Sequence, residues 1–219
     1  MTPPKRETRL KRILAELKRL YPDTRAFLRY NDPFQLLCSV ILSAQCTDAR
    51  VNLVAPHLWK AYPTPESLEK ARIPDVERII HSTGFYHNKA RNLIGCAKTL
   101  VRDFQGKIPK DIDEFVKIPG VGRKTANVVL GEIYGLAQGV TVDTHVARLA
   151  YRMGLTTHKD PSRIEQDLMR VLPRREWLTF PHRVIQHGRK ICDARKPLCG
   201  DCRVAPWCPK VGLPKTKLP

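Results

Sequence analysis

Four of the seven cysteines lie close together near the end of the chain, in the pattern Cys192-x6-Cys199-x2-Cys202-x5-Cys208. Clustered cysteines of an intracellular protein usually bind metal rather than form disulfides. Four thiolates suit either zinc or a 4Fe-4S cluster. On this chemistry alone zinc is slightly favoured, because structural zinc sites are common and the spacing is not that of a ferredoxin. Four unliganded cysteines are the alternative.

A second chemical feature is a glycine turn between two predicted helices. The first helix covers residues 111–118, the turn is the Pro-Gly-Val-Gly of residues 119–122, and the second helix begins at about Arg123. Gly120 and Gly122 permit a tight reversal and leave backbone N–H groups open beside a helix N-terminus. Such a site suits a nucleic-acid phosphate, although an ordinary helical hairpin would have the same sequence pattern.

Lys124 stands in the first turn of the second helix, next to Arg123. The apolar stripe of that helix contains Ala126 and Val129 and lies nearly opposite Lys124, so its side chain is predicted to point outward. The helix dipole and the neighbouring charge both favour the neutral amine, which is a nucleophile. From this geometry alone, a solvated surface lysine or a phosphate contact is favoured over a nucleophile.

Asp143 precedes a predicted helix that carries Val146 and Leu149. Aspartate is a favoured N-cap, so capping alone explains its position. A capping carboxylate is nevertheless rigid and ionised, as a group that stabilises a cationic sugar must be. Both roles remain open on these residues alone.

The elements that must position these groups are predicted to be helices. Apolar residues follow helical spacing from Phe34 to Leu42, where the helix should be buried almost all round. The other predicted helices cover residues 8–20, 66–80, 88–104, 126–133, 146–153 and 162–172. Only residues 139–142 look β-like. The fold class is therefore all-α.

Charge and composition narrow the partner. The 219 residues carry 39 Lys plus Arg against 21 Asp plus Glu, a formal net charge of +18. Such an excess indicates a polyanion, with nucleic acid ahead of an anionic membrane surface or an acidic protein. No apolar run approaches the roughly 18 residues that span a bilayer, and no signal segment is evident. We expect an intracellular, cytoplasmic and nucleoid-associated protein.

Several motifs together resemble the endonuclease III family of helix-hairpin-helix DNA glycosylases. The resemblance runs in order over about residues 10–210. Its segments are Leu42-Ser-Ala-Gln-Cys-Thr-Asp48, Gly84-Phe-Tyr-His-Asn-Lys89, Ile118-Pro-Gly-Val-Gly-Arg-Lys-Thr-Ala-Asn-Val-Val129, Val142-Asp-Thr-His145 and the cysteine pattern.

The resemblance implies a role for each matching residue. Lys124 matches the nucleophilic lysine and Asp143 the catalytic aspartate of the family. The four cysteines match its 4Fe-4S ligands, which replaces the preference for zinc. The implied DNA contacts are Gly120, Val121, Gly122, Arg123, Gln45, Phe85, His145, Arg189 and Lys196. Phe85, His87 and Cys46 depart from the residues usual at their positions, where Leu, Asn and Ala are expected.

The resemblance also implies an architecture of two helical domains with a DNA-binding cleft between them. The first is a six-helix barrel domain of residues 24–137, with the helix-hairpin-helix at about 111–135. The second is an iron–sulfur domain of residues 1–23 and 138–219, with the cluster loop at 192–208.

The implied function is that of a monomeric, bifunctional enzyme of base excision repair. It would flip oxidised pyrimidines out of double-stranded DNA, excise them through a lysine Schiff base, and cleave the strand there or at abasic sites. The adenine-mismatch glycosylases lack the lysine and have a further C-terminal domain, and the oxidised-guanine glycosylases generally lack the cluster. A non-catalytic DNA-binding protein is disfavoured by Lys124 together with Asp143.

Overall fold

The computed structural model describes residues 6–24 and 27–214, and within these ranges the chain forms eleven α-helices and three short 3-10 turns. The helices are α1 (Arg6–Leu20), α2 (Pro33–Leu42), α3 (Asp48–Ala61), α4 (Pro65–Leu68), α5 (Ile73–Ile80), α6 (Tyr86–Phe104), α7 (Ile112–Phe115), α8 (Arg123–Tyr134), α9 (Thr144–Arg152), α10 (Pro161–Val171) and α11 (Thr179–Lys190). The all-α prediction is confirmed. No helix of these described ranges is long and apolar enough to cross a membrane.

The chain divides into two compact units, residues 26–138 and residues 1–25 with 139–219. The parts of both that fall on residues 1–5, 25–26 and 215–219 lie outside the described residues. The first unit contains α2 to α8, of which α4 and α7 are single turns. The second contains α1 and α9 to α11.

Helix α2 is at the centre of the first unit. Pro33 opens it, and the side chain of Asp32 caps it by accepting a bond from the Gln35 amide at 2.8 Å. Eight of its ten residues are buried, and it packs against α3, α6 and α8. The predicted burial all round α2 is thus confirmed, and α2 supports the helix that carries Lys124.

The apolar faces of four helices, α1, α9, α10 and α11, form the core of the second unit. On α1 the buried residues are Leu10, Ile13 and Leu17, and this helix packs against α11. Val146 and Leu149 of α9 join the same core, and three of the clustered cysteines pack against it: Cys192, Cys202 and Cys208. The cysteine segment is therefore attached to a packed helical layer.

The β-like prediction for residues 139–142 is wrong, because that segment forms no strand. Val140 is buried at 1% exposure, and Val142 is partly buried against the same helical core. The apolar residues of this segment therefore pack onto helices and do not pair with another strand. A β-like composition indicates residues that suit a half-buried surface, and a helical core can bury them as well as a sheet.

Two helices were not predicted, and each contains a proline. In α3, Pro56 lies inside the helix, yet Val51, Val54 and Leu58 are buried on one face and Thr47 caps the start. In α11, Pro181 is the third residue, where its missing N–H would have had no helical partner. The apolar spacing on α3 and the cap were visible in the sequence.

The single helix predicted for residues 66–80 is two helices, α4 and α5. Pro74 lacks an N–H, and inside a helix its ring would clash with the carbonyl four residues earlier, so it is tolerated only in a first turn. Helix α4 therefore ends at Leu68 and α5 begins at Ile73.

Candidate active site and cysteine cluster

The glycine turn joins α7 to α8. The side chain of Asp111 caps α7 by accepting bonds from the amides of Asp113 and Glu114 at 2.8 and 3.0 Å. Helix α7 is one turn long, shorter than the predicted 111–118, and the chain then turns through Gly120 at φ 79°. Gly122 is the N-cap of α8 and provides no side-chain cap, so the first amides of α8 are not covered by a capping side chain. An anion can approach such a terminus closely.

Lys124 is the second residue of α8 and is exposed. Ala126, Val129 and Leu130 of the same helix are fully buried. The side chain of Lys124 thus extends outward beside the glycine turn, as the helical periodicity predicts. Neighbouring Arg123 and Gly122 are exposed as well, whereas Val121 is buried and only 4% exposed.

Asp143 is the N-cap of α9, which confirms the capping prediction. Its Oδ1 accepts a bond from the Val146 amide at 2.7 Å, and its Oδ2 lies 3.4 Å from Nδ1 of His145. The two side chains are 23% and 26% exposed, so the carboxylate is fixed in orientation yet open to solvent on one side. This is the arrangement that a rigid anionic group facing a ligand requires.

Gln45 and Phe85 share a backbone feature that the sequence did not reveal. Both are non-glycine residues in the left-handed region, at φ 51° and 49°. Phe85 is also 62% exposed, a large apolar side chain directed into solvent, and Gln45 is exposed. Bulky residues rarely adopt this conformation, and strain of this kind concentrates at functional sites.

The four clustered cysteines line one pocket, together with apolar side chains such as Leu149 and Val204. Burial, together with the three other sulfurs, raises the pKa of the Cys208 thiol to about 11, although a backbone hydrogen bond at Lys210 acts the other way. Four thiolates can therefore coexist here only with a compensating cation.

Two side chains lie against the sulfurs, and no sequence pattern predicts either contact. Arg152, at the end of α9, donates to the Cys192 sulfur at 3.3 Å and to the carbonyls of Asp193 and Ala194 at 2.7 and 2.8 Å. His187 lies with Nε2 at 3.5 Å from the Cys202 sulfur. Such outer partners orient the ligands of a metal site.

The four clustered sulfurs line a common pocket and interact electrostatically. Four thiolates are the ligand set that a 4Fe-4S cluster takes, so the residues present fit that cofactor.

The loop around the cysteines presents basic side chains. The carboxylate of Asp193 accepts bonds from the amides of Arg195 and Lys196 at 2.8 and 2.9 Å, which closes a turn. Lys196 and Arg189 are exposed. The turn thus holds a positive surface beside the cysteine pocket.

Comparison with known proteins decides the family. Residues 38–174, more than half of the chain, match the HhH-GPD superfamily of base excision DNA repair proteins. The chain belongs to this superfamily. Within the HhH-GPD superfamily it is 50% identical to the endonuclease III of Synechocystis sp. over 204 residues, which are 93% of each protein. It is 40% identical to the endonuclease III of Bacillus subtilis over 190 residues, 86% of each.

A solved structure gives the same result for the HhH-GPD fold. A trapped endonuclease III–DNA covalent intermediate superimposes with a TM-score of 0.87 at 39% identity, covering 93% of this chain and 96% of that one. The resemblance to endonuclease III is thus confirmed. So is the enzyme class: the chain is a DNA glycosylase with abasic-site lyase activity.

Proposed function

We propose that this enzyme excises oxidised pyrimidines from double-stranded DNA through a Schiff base on Lys124. The observation that carries the proposal is an exposed lysine in the first turn of α8, directly after a glycine turn. It coincides with the nucleophile position of the family that the chain resembles. The DNA-bound state of the endonuclease III structures supports DNA as the substrate here.

The chemistry assigned to Lys124 is attack on the sugar. Its neutral Nζ forms a bond to C1′ while the N-glycosidic bond breaks, and the base leaves with the bonding electrons and takes up a proton. The sugar ring opens to a protonated imine. Loss of a C2′ proton then breaks the C3′–O bond, which cuts the strand on the 3′ side. An existing abasic site enters the same sequence at the imine.

Asp143 is assigned the electrostatic part of the reaction. Its carboxylate, held by the Val146 amide, stabilises positive charge on the sugar as the base departs, or helps to deprotonate Lys124. His145, 3.4 Å from Asp143, borders the extruded nucleotide. Capping and catalysis are compatible because the cap uses only Oδ1 of the carboxylate and holds the side chain in place, which leaves Oδ2 for the reaction.

The remaining contacts extrude and hold the nucleotide. C1′ is shielded inside a duplex, and a damaged base is easier to unstack. The amides of Gly120 and Gly122 bind the phosphate backbone, with Val121 and Arg123 beside them and Arg189 and Lys196 adding positive charge. Gln45 and Phe85 fill the gap, since an inserted aromatic ring replaces lost stacking.

Cys192, Cys199, Cys202 and Cys208 would hold the 4Fe-4S cluster. When bound, the cluster would link the four cysteine thiolates and so fix the basic loop between them. A fixed loop loses less entropy when DNA docks. We assign it no part in bond breaking. One chain carries every assigned residue, so we propose that the enzyme acts as a monomer.

Trapping with borohydride tests the nucleophile. Lys124→Gln should abolish the covalent adduct on a duplex with one oxidised pyrimidine, because the amide cannot form an imine. DNA binding should be largely retained, since one cation is removed from a net charge of +18.

The matched control is Lys117→Gln, which removes an exposed lysine of the same hairpin. It should leave trapping intact. An adduct that persists in the Lys124 variant refutes the assignment.

A metal analysis tests the cofactor. The purified protein should contain about four irons per chain and the visible absorption of an iron–sulfur centre, and Cys202→Ala should lose both. A colourless protein with one zinc per chain would contradict the cluster.

A further inference from the structure

Two backbone segments of the first unit adopt unfavourable conformations. Phe85 has φ 49° and ψ 28°, and the residue before it, Gly84, has φ 70° and ψ 157°. Gln45 has φ 51°. An exposed phenylalanine gains no packing from this geometry, so other contacts must hold it there.

Lys89 provides contacts at both ends of the Gly84–Phe85 segment. Its Nζ donates to the carbonyl of Thr83 at 2.8 Å, directly before Gly84. Its own amide donates to the carbonyl of Phe85 at 3.1 Å. Thr83 is itself fixed, because its hydroxyl donates to the Ile80 carbonyl at 2.8 Å and it is 2% exposed. The bond from the Lys89 amide to the Phe85 carbonyl is the first backbone bond of α6, so the contact that is specific to lysine is the bond from its side chain to the Thr83 carbonyl.

The position of Lys89 is unusual for a lysine. It is 4% exposed, although lysines are almost never fully buried unless paired. Lys98, on the same helix, is exposed. Burying an ammonium is unfavourable unless it is hydrogen-bonded, so the bond to the Thr83 carbonyl must offset that penalty.

Burial lowers the pKa of Lys89, while an electrostatic interaction with the Cys46 thiol raises it. The loss of water around the ammonium is the larger of the two effects, which agrees with its low exposure.

We propose that Lys89 is a positioning residue that fixes the Phe85 segment, through its bond to the Thr83 carbonyl, in the DNA-binding conformation before DNA arrives. Preorganisation of this kind lowers the entropy lost on binding. The proposal rests on the assigned gap-filling role of Phe85. Lys89 itself need not touch the substrate.

Backbone dynamics test the clamp without any catalysis. In the free wild-type protein, the amide order parameter of Phe85 should be about 0.85, as in rigid backbone. Lys89→Met, which keeps the length of the side chain but removes its donor, should lower it below about 0.6. The control Lys98→Met should leave it unchanged.

The free wild-type protein decides the matter even if the Lys89 variant does not fold. Order parameters below about 0.6 at Phe85, rising only when an abasic-analogue duplex is added, would show that DNA orders the segment and would overturn the proposal. Unchanged values in a folded Lys89→Met protein would overturn it too.

A double-mutant cycle shows whether Lys89 acts through Phe85. On a duplex with an oxidised pyrimidine, Lys89→Met should lower kcat about tenfold with KM within about twofold, since extrusion and not initial binding is impaired. In a Phe85→Ala background, Lys89→Met should lower kcat by no more than about twofold, because the side chain that Lys89 positions is already absent. A full tenfold loss in that background refutes positioning.

The kinetic and dynamic experiments distinguish failure of the proposed function from failure of the Lys89 proposal. If the wild-type protein has no activity on oxidised pyrimidines, the proposed function is wrong. The order parameters still decide whether Lys89 fixes the Phe85 segment.

Discussion

Asp143 illustrates how one residue serves structure and chemistry together. Its carboxylate caps α9 through the Val146 amide and also faces His145. A substitution that keeps the cap therefore separates the two roles, because asparagine caps a helix about as well as aspartate.

We predict that Asp143→Asn unfolds at nearly the wild-type denaturant concentration but turns over severely slowly. Asp143→Ala should lose about 1 kcal/mol of stability in addition, since the cap is removed. Urea unfolding and single-turnover base release measure the two effects. Near-normal turnover of the asparagine variant would leave Asp143 as a cap alone.

Arg152 shows a residue whose shape matters as much as its charge. It is 8% exposed and uses two nitrogens to bind the cysteine loop. Arg152→Lys keeps the charge, but one ammonium cannot replace the two guanidinium nitrogens that donate to the loop carbonyls. We therefore expect a loss of about 1–3 kcal/mol in the free energy of unfolding.

The control for this change is Arg170→Lys, because Arg170 is 70% exposed in a surface pair with Asp167. It should change the free energy of unfolding by less than about 0.5 kcal/mol. Equal losses in the two variants would argue against a specific role for Arg152.

At the scale of the element, the hairpin between α7 and α8 depends on one glycine more than on the other. Gly120 has φ 79°, and a Cβ built there would lie 2.9 Å from the Cβ of Asn92. A Cβ on Gly122 meets nothing within 4 Å, and its φ is −86°.

We therefore predict that Gly120→Ala costs about 1–3 kcal/mol, from backbone strain together with the clash. Gly122→Ala should cost less than about 1 kcal/mol, the difference between glycine and alanine at an N-cap. Equilibrium unfolding of the two variants compares them directly. The reverse order would mean that the turn adopts another conformation.

At the scale of the whole molecule, the net charge of +18 is unevenly distributed. Residues 170–219 alone hold 12 Lys plus Arg against 3 Asp plus Glu, a difference of +9 and half of the total. DNA affinity should therefore fall linearly with the logarithm of salt concentration, because cations on the protein release counterions from DNA.

Lys196→Ala should reduce that slope by about 0.9, the contribution of one phosphate contact, whereas Lys196→Arg should preserve it. Fluorescence anisotropy at several salt concentrations measures the slope. An unchanged slope in the alanine variant would exclude Lys196 from the DNA interface.

Features that depend on neighbours along the chain were determined by the sequence. Helical stripes, the cap at Asp143 and the outward direction of Lys124 follow from spacings of three or four residues, which fix a helix face. The order of the motifs identified the family, because several short patterns in register are specific where each alone is not.

Only the tertiary structure decided the contacts between distant residues. The left-handed backbone of Phe85, the burial of Lys89 and the bonds of Arg152 to the cysteine loop all depend on packing between segments far apart in sequence. Pro56 inside α3 belongs to the same class, because burial of the apolar face of this helix outweighs the local preference of proline. Local pattern reports which face of an element is apolar, whereas the partner that covers this face is selected by the whole fold.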